Sequence, residues 1–183
     1  MMTRGLTYDD YLGMPDDGRR YELINGELNV MEPAPLVEHQ RILRFLTKTF
    51  EKHCSKAGDF LFAPVDVIFS NEYVLQPDFV FISRERQPII KDKAIEGAPD
   101  LIVEILSPST AKKDKIDKKT VYQRYGVKEY WIIDPIYRLL EQFILESGQL
   151  RLLKVLNTDD IITSPNFACI DMPLETLFQK RIG

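Results

Sequence analysis

A glutamate in the middle of an apolar run is the feature that most constrains how this chain can fold. Residues 101–106 read Leu-Ile-Val-Glu-Ile-Leu, between Pro99 and Pro108. A short, partly β-branched run of this kind is typical of a strand buried on both faces. An ionised carboxylate in a dry core costs several kcal/mol unless something compensates it. Glu104 therefore predicts a site, in which a metal ion, a lysine or a raised pKa accompanies the carboxylate.

Length and composition set the broad class of protein. The 183 residues are 44% hydrophobic and 28% charged, which is ordinary for a globular protein, so we expect a single domain over residues 1–183. The formal net charge of −4 argues against a protein that coats nucleic acid through bulk charge. It leaves room for a local basic groove.

The cysteines and the apolar runs bear on location. Cys54 and Cys169 are too few for a disulfide framework or a zinc site, which favours a reducing compartment. The first ten residues contain no hydrophobic signal region, and no apolar run approaches the roughly 20 residues that span a membrane. We expect a cytoplasmic protein without a membrane segment.

The order of predicted elements indicates a mixed α/β fold. We expect a short helix, a hairpin that turns at Asn25-Gly26, a long helix, three strands, a third helix, a strand and a final hairpin. In the same order, these elements cover residues 7–14, 21–30, 36–54, 60–69, 76–82, 101–106, 111–125, 129–133 and 139–156. Residues 83–97 are predicted to be a polar connection.

Two aspartates, each directly after a proline, compete to be the partner of Glu104. Asp78 opens the apolar strand that follows Pro77, and Asp100 follows Pro99. Asp100 and Glu104 would lie roughly 13 Å apart along one strand, too far to share an ion, so we prefer Asp78. Carboxylate oxygens of this kind suit Mg²⁺ or Mn²⁺. Asp66 is a further carboxylate near the same sheet to which the sequence assigns no role.

The segment after the buried strand is strongly basic. Between residues 112 and 128 there are seven Lys or Arg and two Asp, so this segment carries +5 and the rest of the chain −9. At about 100° per residue, Lys118 falls on the same helix face as Asp114, Val121, Tyr122 and Tyr125. A lysine on such an inward face needs an anionic partner, just as Glu104 needs a cationic one.

These residues resemble the PD-(D/E)XK restriction-endonuclease-like superfamily, and within it the bacterial Uma-type branch formerly described as a domain of unknown function. The similarity extends over nearly the whole chain. Its matching blocks are residues 21–28, 76–78, 98–110 and 126–131, together with Asp114, Lys118 and Tyr122. It implies a restriction-endonuclease-like core of a helix, three antiparallel strands, a helix and a strand, with a hairpin at each end.

The resemblance also implies a site. Asp78 and Glu104 would ligate Mg²⁺ (or Mn²⁺), with Glu22 supporting them and His39, Asp114 and Tyr122 nearby. The superfamily places a lysine two residues after the glutamate, where this chain has Leu106. In this branch the lysine is moved to the following helix, where Lys118 is our candidate and Lys115 the alternate.

The sequence therefore predicts a Mg²⁺-dependent endonuclease that hydrolyses DNA phosphodiesters, with duplex DNA as partner. A homodimer is what the superfamily leads us to expect. Lys112, Lys113 and Lys119 would contact the phosphate backbone without reading bases. Two other hypotheses stay open: a catalytically silent nuclease-fold module that binds nucleic acid or a protein, and a metal-dependent hydrolase of small phosphoesters.

Overall fold

A computed structural model describes residues 5–31, 36–107 and 113–179 of the chain. Its α-helices are α1 (Tyr8–Leu12), α2 (Val37–Cys54) and α3 (Lys119–Arg124), and a π-helical segment (Lys113–Lys118) runs directly into α3. Two 3₁₀ helices cover Arg84–Ile89 and Leu174–Phe178. The strands are β1 (Tyr21–Ile24), β2 (Glu27–Val30), β3 (Gly58–Phe62), β4 (Asp66–Ser70), β5 (Tyr73–Leu75), β6 (Phe79–Ser83), β7 (Ala94–Glu96), β8 (Leu101–Ile105), β9 (Glu129–Asp134), β10 (Leu139–Glu146), β11 (Gln149–Leu156), β12 (Ile161–Thr163) and β13 (Asp171–Pro173).

The central sheet has the predicted topology. Its strand order is β11-β10-β9-β8-β6-β3, and β3, β6 and β8 pair antiparallel. The chain then passes through the helical segment and returns as β9, which pairs parallel to β8. A parallel neighbour requires a crossover of this kind, because a tight hairpin can join only antiparallel strands. The predicted fold class is thus confirmed.

A second, five-stranded sheet brings the N-terminal hairpin to the central sheet. Its order is β2-β1-β5-β4-β7, and β1 pairs antiparallel with both β2 and β5. The hairpin turns at Asn25 and Gly26, both with positive φ, as the Asn-Gly pair predicts. Through β1, the sheet fixes the position of Glu22.

The core lies on both faces of the central sheet. On one face, α2 and the last 3₁₀ helix bury an aromatic cluster that includes Phe50, Phe79 and Trp131. On the other face, α3 and the second sheet bury a cluster that includes Ile102, Leu106 and Tyr122. Strand β8 is therefore covered on both sides, as its apolar sequence predicts.

Two predictions of secondary structure are wrong. Residues 60–69 form two strands in different sheets, β3 and β4, because Pro64 between them has no N–H to donate to a ladder. Residues 83–97 are more than a polar connection: they contain a 3₁₀ helix and β7, which pairs parallel to β4 and completes the second sheet.

The cysteines also differ from expectation. Cys54, at the end of α2, and Cys169 form a disulfide with their Cα atoms 5.2 Å apart. Two cysteines suffice for one bridge when the fold brings together residues 115 positions apart, which spacing alone does not reveal. The presence of this bridge gives no support to the expected reducing compartment.

Candidate active site

Glu104 is buried on the face of β8 that packs against the helical segment, with 2% of its surface exposed. Its Oε1 accepts a hydrogen bond of 2.6 Å from the Tyr122 hydroxyl and one of 3.0 Å from Lys118 Nζ. Burial and the neighbouring Glu104 raise the pKa of Tyr122 well above its usual range, so this hydroxyl stays protonated and donates. The carboxylate therefore has both a neutral and a charged donor.

Lys118 is the cation that Glu104 requires. It is 4% exposed, and its Nζ lies 3.0 Å from Glu104 Oε1, 3.0 Å from Glu22 Oε1 and 3.4 Å from Asp114 Oδ1. Burial by itself favours loss of its proton, but the carboxylates of Glu104, Glu22 and Asp114 outweigh burial and raise the pKa of Lys118 well above its usual value. The ammonium is therefore charged at neutral pH.

The cluster around Lys118 carries excess negative charge. Burial raises the pKa of Glu104 well above its usual value; Lys118 opposes this shift, and the charges of Asp114, Asp78 and Glu22 add to it. One ammonium faces three carboxylates within 3.4 Å. Like charges at this distance favour uptake of a proton or of a further cation.

Asp78 lies beside Glu104 at the start of β6. Phe79 pairs with Val103 in an antiparallel ladder, so Asp78, one residue earlier, lies opposite Glu104, one residue later. Its Oδ2 accepts a hydrogen bond of 2.7 Å from the Ile105 backbone N–H, and His39 Nε2 lies 3.1 Å from its Oδ1. The two donors fix the plane of this carboxylate, whose side chain remains 18% exposed.

His39 reaches Asp78 from the first turn of α2. The residue is 8% exposed, and its Nδ1 is buried without a hydrogen-bond partner among the described residues. Since Nε2 faces a carboxylate, the N–H of a neutral ring belongs on Nε2. In this geometry His39 orients Asp78.

Glu22 is joined to a carboxylate that the sequence left without a role. The Gln76 backbone N–H donates to Glu22 Oε1 over 3.1 Å, and the Gln76 side-chain Nε2 donates to Asp66 Oδ1 over 2.8 Å. Burial raises the pKa of Asp66, Gln76 opposes this shift and Glu22 adds to it. The sequence predicted Asp66 near the sheet of Glu104, whereas β4 lies in the second sheet together with β1, which carries Glu22.

Asp100, the rival of Asp78, has a different environment. It is fully buried and accepts hydrogen bonds from the Ser83 N–H, Arg86 and Lys128 at 2.8, 3.1 and 2.7 Å. Two cations already neutralise this carboxylate, which joins β8 to the loops around it. The geometry thus supports the preference for Asp78 near Glu104.

Leu106 shows why the lysine can come from elsewhere. Residues 102, 104 and 106 share one face of the strand, and Leu106 packs in the same cluster as Ile102 and Tyr122. A side chain at position 106 therefore points to the side from which Lys118 approaches. The alternate candidate, Lys115, instead forms a partly exposed ion pair with Glu141 at 2.5 Å.

Three other basic residues of this segment have partners within the protein. Lys119 Nζ lies 3.9 Å from the centre of the Phe143 ring, Arg124 lies over Tyr73, and Lys128 pairs with Asp100. Lys112 and the side chain of Lys113 lie outside the described residues. Phosphate contacts by Lys112, Lys113 and Lys119 stay a prediction.

The donor chemistry of the site fits Mg²⁺ or Mn²⁺. Within residues 5–31, 36–107 and 113–179, no group of three His, Cys, Asp or Glu side chains has the geometry to hold a metal ion by itself. Mg²⁺ does not require such a cage, since it is usually bound through one or two carboxylates plus waters and substrate oxygens. Asp78 and Glu104 supply two carboxylates, and the excess negative charge around them favours a divalent cation.

One buried carboxylate escaped the sequence reasoning altogether. Glu129, at the start of β9, is fully buried and accepts hydrogen bonds from neutral donors on Trp131, Gln142, Ser164 and Asn166. It joins the C-terminal segment to the central sheet. Glu129 and Trp131 are two residues apart on β9 and therefore lie on one face of the strand, which is the sequence signal that predicts burial of Glu129.

No helix in the described part of the chain has the length and apolar character needed to cross a membrane.

Comparisons with known proteins identify the family to which this chain belongs. The crystal structure of a protein from Anabaena variabilis, described as a "putative nuclease belonging to DUF820", superposes with a TM-score of 0.77 at 20% identity, over 94% of this chain and 97% of that one. No curated protein matches the chain. The family described as "Putative restriction endonuclease" matches residues 8–174, and the chain belongs to this family, Uma2.

Proposed function

We propose that the protein is a divalent-metal-dependent nuclease that hydrolyses DNA phosphodiester bonds. The observation that carries the proposal is the position of Lys118, whose ammonium lies 3.0 Å from the buried Glu104 although the lysine expected at position 106 is absent. Family membership supports a nuclease in general. The metal, the DNA substrate and the residue roles are our inference from the site.

Asp78 and Glu104 would hold the metal. When bound, a divalent cation polarises a phosphoryl oxygen and lowers the pKa of its water. The protein groups around these carboxylates keep them in place: Ile105 N–H and His39 orient Asp78, and Tyr122 donates to Glu104. This preorganisation avoids reorganisation during the reaction.

Lys118 would act on the phosphate itself. Because three carboxylates hold its pKa high, it remains an ammonium at neutral pH and serves as a fixed positive charge rather than as a base. Such a charge stabilises the negative charge that develops on the phosphoryl oxygens. Glu22, bound to the same Nζ, would position this ammonium.

The partners follow from this chemistry. One site cuts one strand, so we expect a homodimer to cut a DNA duplex. We expect the protein to act in the cytoplasm. Nicking of supercoiled plasmid with Mg²⁺ or Mn²⁺ tests the proposal. We expect nicked circles from the wild type and none from Glu104→Gln or Asp78→Asn; equal nicking by these variants would refute the assignment.

A second candidate is a catalytically silent module that binds nucleic acid. It is favoured by Lys118 itself, because the ammonium between Glu22, Glu104 and Asp114 balances part of their charge without any metal. DNA binding without cleavage in either metal, on duplex and single strands, would select this function.

A further inference from the structure

We propose that the solvent face of α2 binds the phosphate backbone of the nucleic acid. The choice of partner rests on the proposed function. The surface, called here the α2 basic stripe, consists of Arg41, Arg44, Lys48 and Lys52. All four residues are exposed, and they are the four Lys and Arg residues of this helix.

The stripe has the geometry of a linear track. At 3.6 residues per turn, its four members fall within an arc of about 80°, and from first to last they span about 16 Å of helix. A DNA strand presents one phosphate per about 3.4 Å of duplex axis, so this length faces about five phosphates of one strand. The length of the stripe therefore matches a row of phosphates along one strand.

The charges of the stripe are available to a ligand. Arg41 pairs with the partly exposed Glu38, three residues before it, at 3.3 Å, and Arg44 lies 4.9 Å from the centre of the Phe45 ring. In the described part of the chain, no carboxylate lies within ion-pair distance of Arg44, Lys48 or Lys52. By contrast, Lys115, Lys118 and Lys128 of the segment at 113–128 are bonded to carboxylates of the protein. The net charge of a segment does not reveal which of its cations have partners within the protein.

The same helix connects the stripe to the candidate site. His39, two residues before Arg41, contacts Asp78. The opposite face of α2 packs Ile42, Leu46 and Phe50 into the core, so the helix is fixed relative to the central sheet. Because His39 lies on the inward side of α2, opposite the stripe, a strand bound along the stripe would approach the site only at the N-terminal end of the helix.

Nucleic acid fits this surface better than an anionic membrane. A helix that lies on a bilayer inserts an apolar face between the lipids, whereas the apolar face of α2 is already buried in the core. Glu38 and the exposed Glu51 flank the stripe, and the whole chain carries −4. A single nucleic-acid strand is narrow enough to contact the stripe alone. A broad anionic membrane would also contact the flanking glutamates, which would repel it.

The test compares two variants of equal charge. The stripe variant is Arg44→Gln, Lys48→Gln and Lys52→Gln; the control is Lys91→Gln, Lys93→Gln and Arg151→Gln, also at exposed positions. Fluorescence anisotropy with a labelled DNA duplex in EDTA is followed over a salt series. We expect binding by the stripe variant to weaken roughly 100-fold at about 0.1 M salt, and its log–log salt slope to fall by about 3. The control should stay within about twofold.

Asp171 offers a change of opposite sign. It is exposed and borders, with Lys48, Lys52 and His53, a groove of about 380 Å³ beside the stripe. Asp171→Asn should tighten DNA binding severalfold. Equal losses in the stripe and control variants, or an unchanged stripe variant, would overturn the inference. So would a wild type that binds phosphatidylserine vesicles and no DNA.

Hydrolysis of bis(4-nitrophenyl) phosphate by the wild type with Mn²⁺ separates this inference from the proposed function. A wild type that hydrolyses this diester and binds no DNA overturns the stripe and supports the chemistry. A wild type that binds DNA through the stripe but hydrolyses neither this diester nor plasmid DNA supports the stripe and overturns the proposed nuclease activity. Melting temperatures of all variants confirm that each is folded.

Discussion

The Nζ of Lys118 lies 3.0 Å from the Oε1 of Glu104, although the two residues are 14 positions apart. Leu106, two residues after Glu104, points to the same side of β8 and packs with Tyr122. The ammonium thus reaches the glutamate from the helical segment instead of from the strand. Positions 106 and 118 face the same side of Glu104. The site therefore keeps a cation although position 106 is a leucine, because position 118 is a lysine.

Loss of the Lys118 ammonium should affect both rate and stability. In Lys118→Met, we expect nicking to fall about 10²- to 10³-fold, since a preorganised charge next to the phosphate is lost. We also expect the free energy of unfolding to fall by about 3 to 5 kcal/mol at neutral pH, because buried carboxylates lose their cation. Plasmid nicking and urea denaturation measure the two effects.

Lys115→Met is the matched control. Its ion pair with Glu141 is partly exposed to solvent, which screens it, so we expect a loss below about 1 kcal/mol in the free energy of unfolding and unchanged nicking. If instead Lys115→Met abolishes cleavage and Lys118→Met cuts normally, Lys115 carries the role assigned here to Lys118.

The lysine should be transferable to the strand. In the double variant Leu106→Lys and Lys118→Met, the new ammonium extends from the face of β8 that carries Glu104, and we expect part of the nicking activity of the wild type to return. Leu106→Lys alone adds a second buried cation and should lower stability. A double variant no more active than Lys118→Met would show that position 106 does not reach the phosphate site.

Metal binding should depend on one of the two Pro-Asp aspartates. We expect Asp78→Asn and Glu104→Gln to weaken Mn²⁺ binding at least tenfold, measured by electron paramagnetic resonance of free Mn²⁺. Asp100→Asn should bind Mn²⁺ as the wild type does, because Lys128 and Arg86 already occupy that carboxylate. Weaker binding in Asp100→Asn alone would reverse the choice between them.

Reduction of the disulfide should destabilise the fold without changing the site. The Cys54–Cys169 bridge joins residues 115 positions apart, and a loop of that size contributes about 2 to 5 kcal/mol by restricting the unfolded chain. We expect unfolding midpoints in urea to fall when dithiothreitol is added. Cys54→Ser should show the lower midpoint in both conditions, and an unchanged wild-type midpoint would mean that the bridge does not form.

The sequence was sufficient for the features that depend on pattern and period. The apolar run at 101–106 and its proline boundaries predict a central strand, Asn25-Gly26 predicts the hairpin, and helical phase places Lys118 inward. Each signal is local. A buried glutamate needs a cation and an inward-facing lysine needs an anion, so the sequence alone predicts that Glu104 and Lys118 pair.

The features that the sequence did not reveal depend on contacts between distant segments. Asp66 approaches Glu22 through Gln76 because β4 and β1 join the same second sheet. The disulfide requires the C-terminal segment to return to the end of α2. Which basic residues remain available to a ligand is likewise decided by their partners in the fold, which the net charge of the segment at 112–128 does not reveal.

Asp100 should make stability depend on acid pH. Burial alone would raise the pKa of Asp100, but hydrogen bonds from Lys128, Ser83 N–H and Arg86 outweigh burial and hold it below its usual 3.8. The stabilisation is therefore fully present above about pH 4 and is lost as pH falls through the lower pKa of the folded state, where the unfolded chain binds the proton first.

Asp100→Asn tests this dependence. At pH 7 we expect the variant to be about 2 to 3 kcal/mol less stable than the wild type, because charged hydrogen bonds to a buried carboxylate are lost. Since only the wild type loses stabilisation from this group on acidification, the gap should narrow as pH falls below 4. Urea denaturation at a series of pH values measures it. A gap that stays constant down to pH 2 would show that Asp100 titrates alike in the folded and unfolded chain.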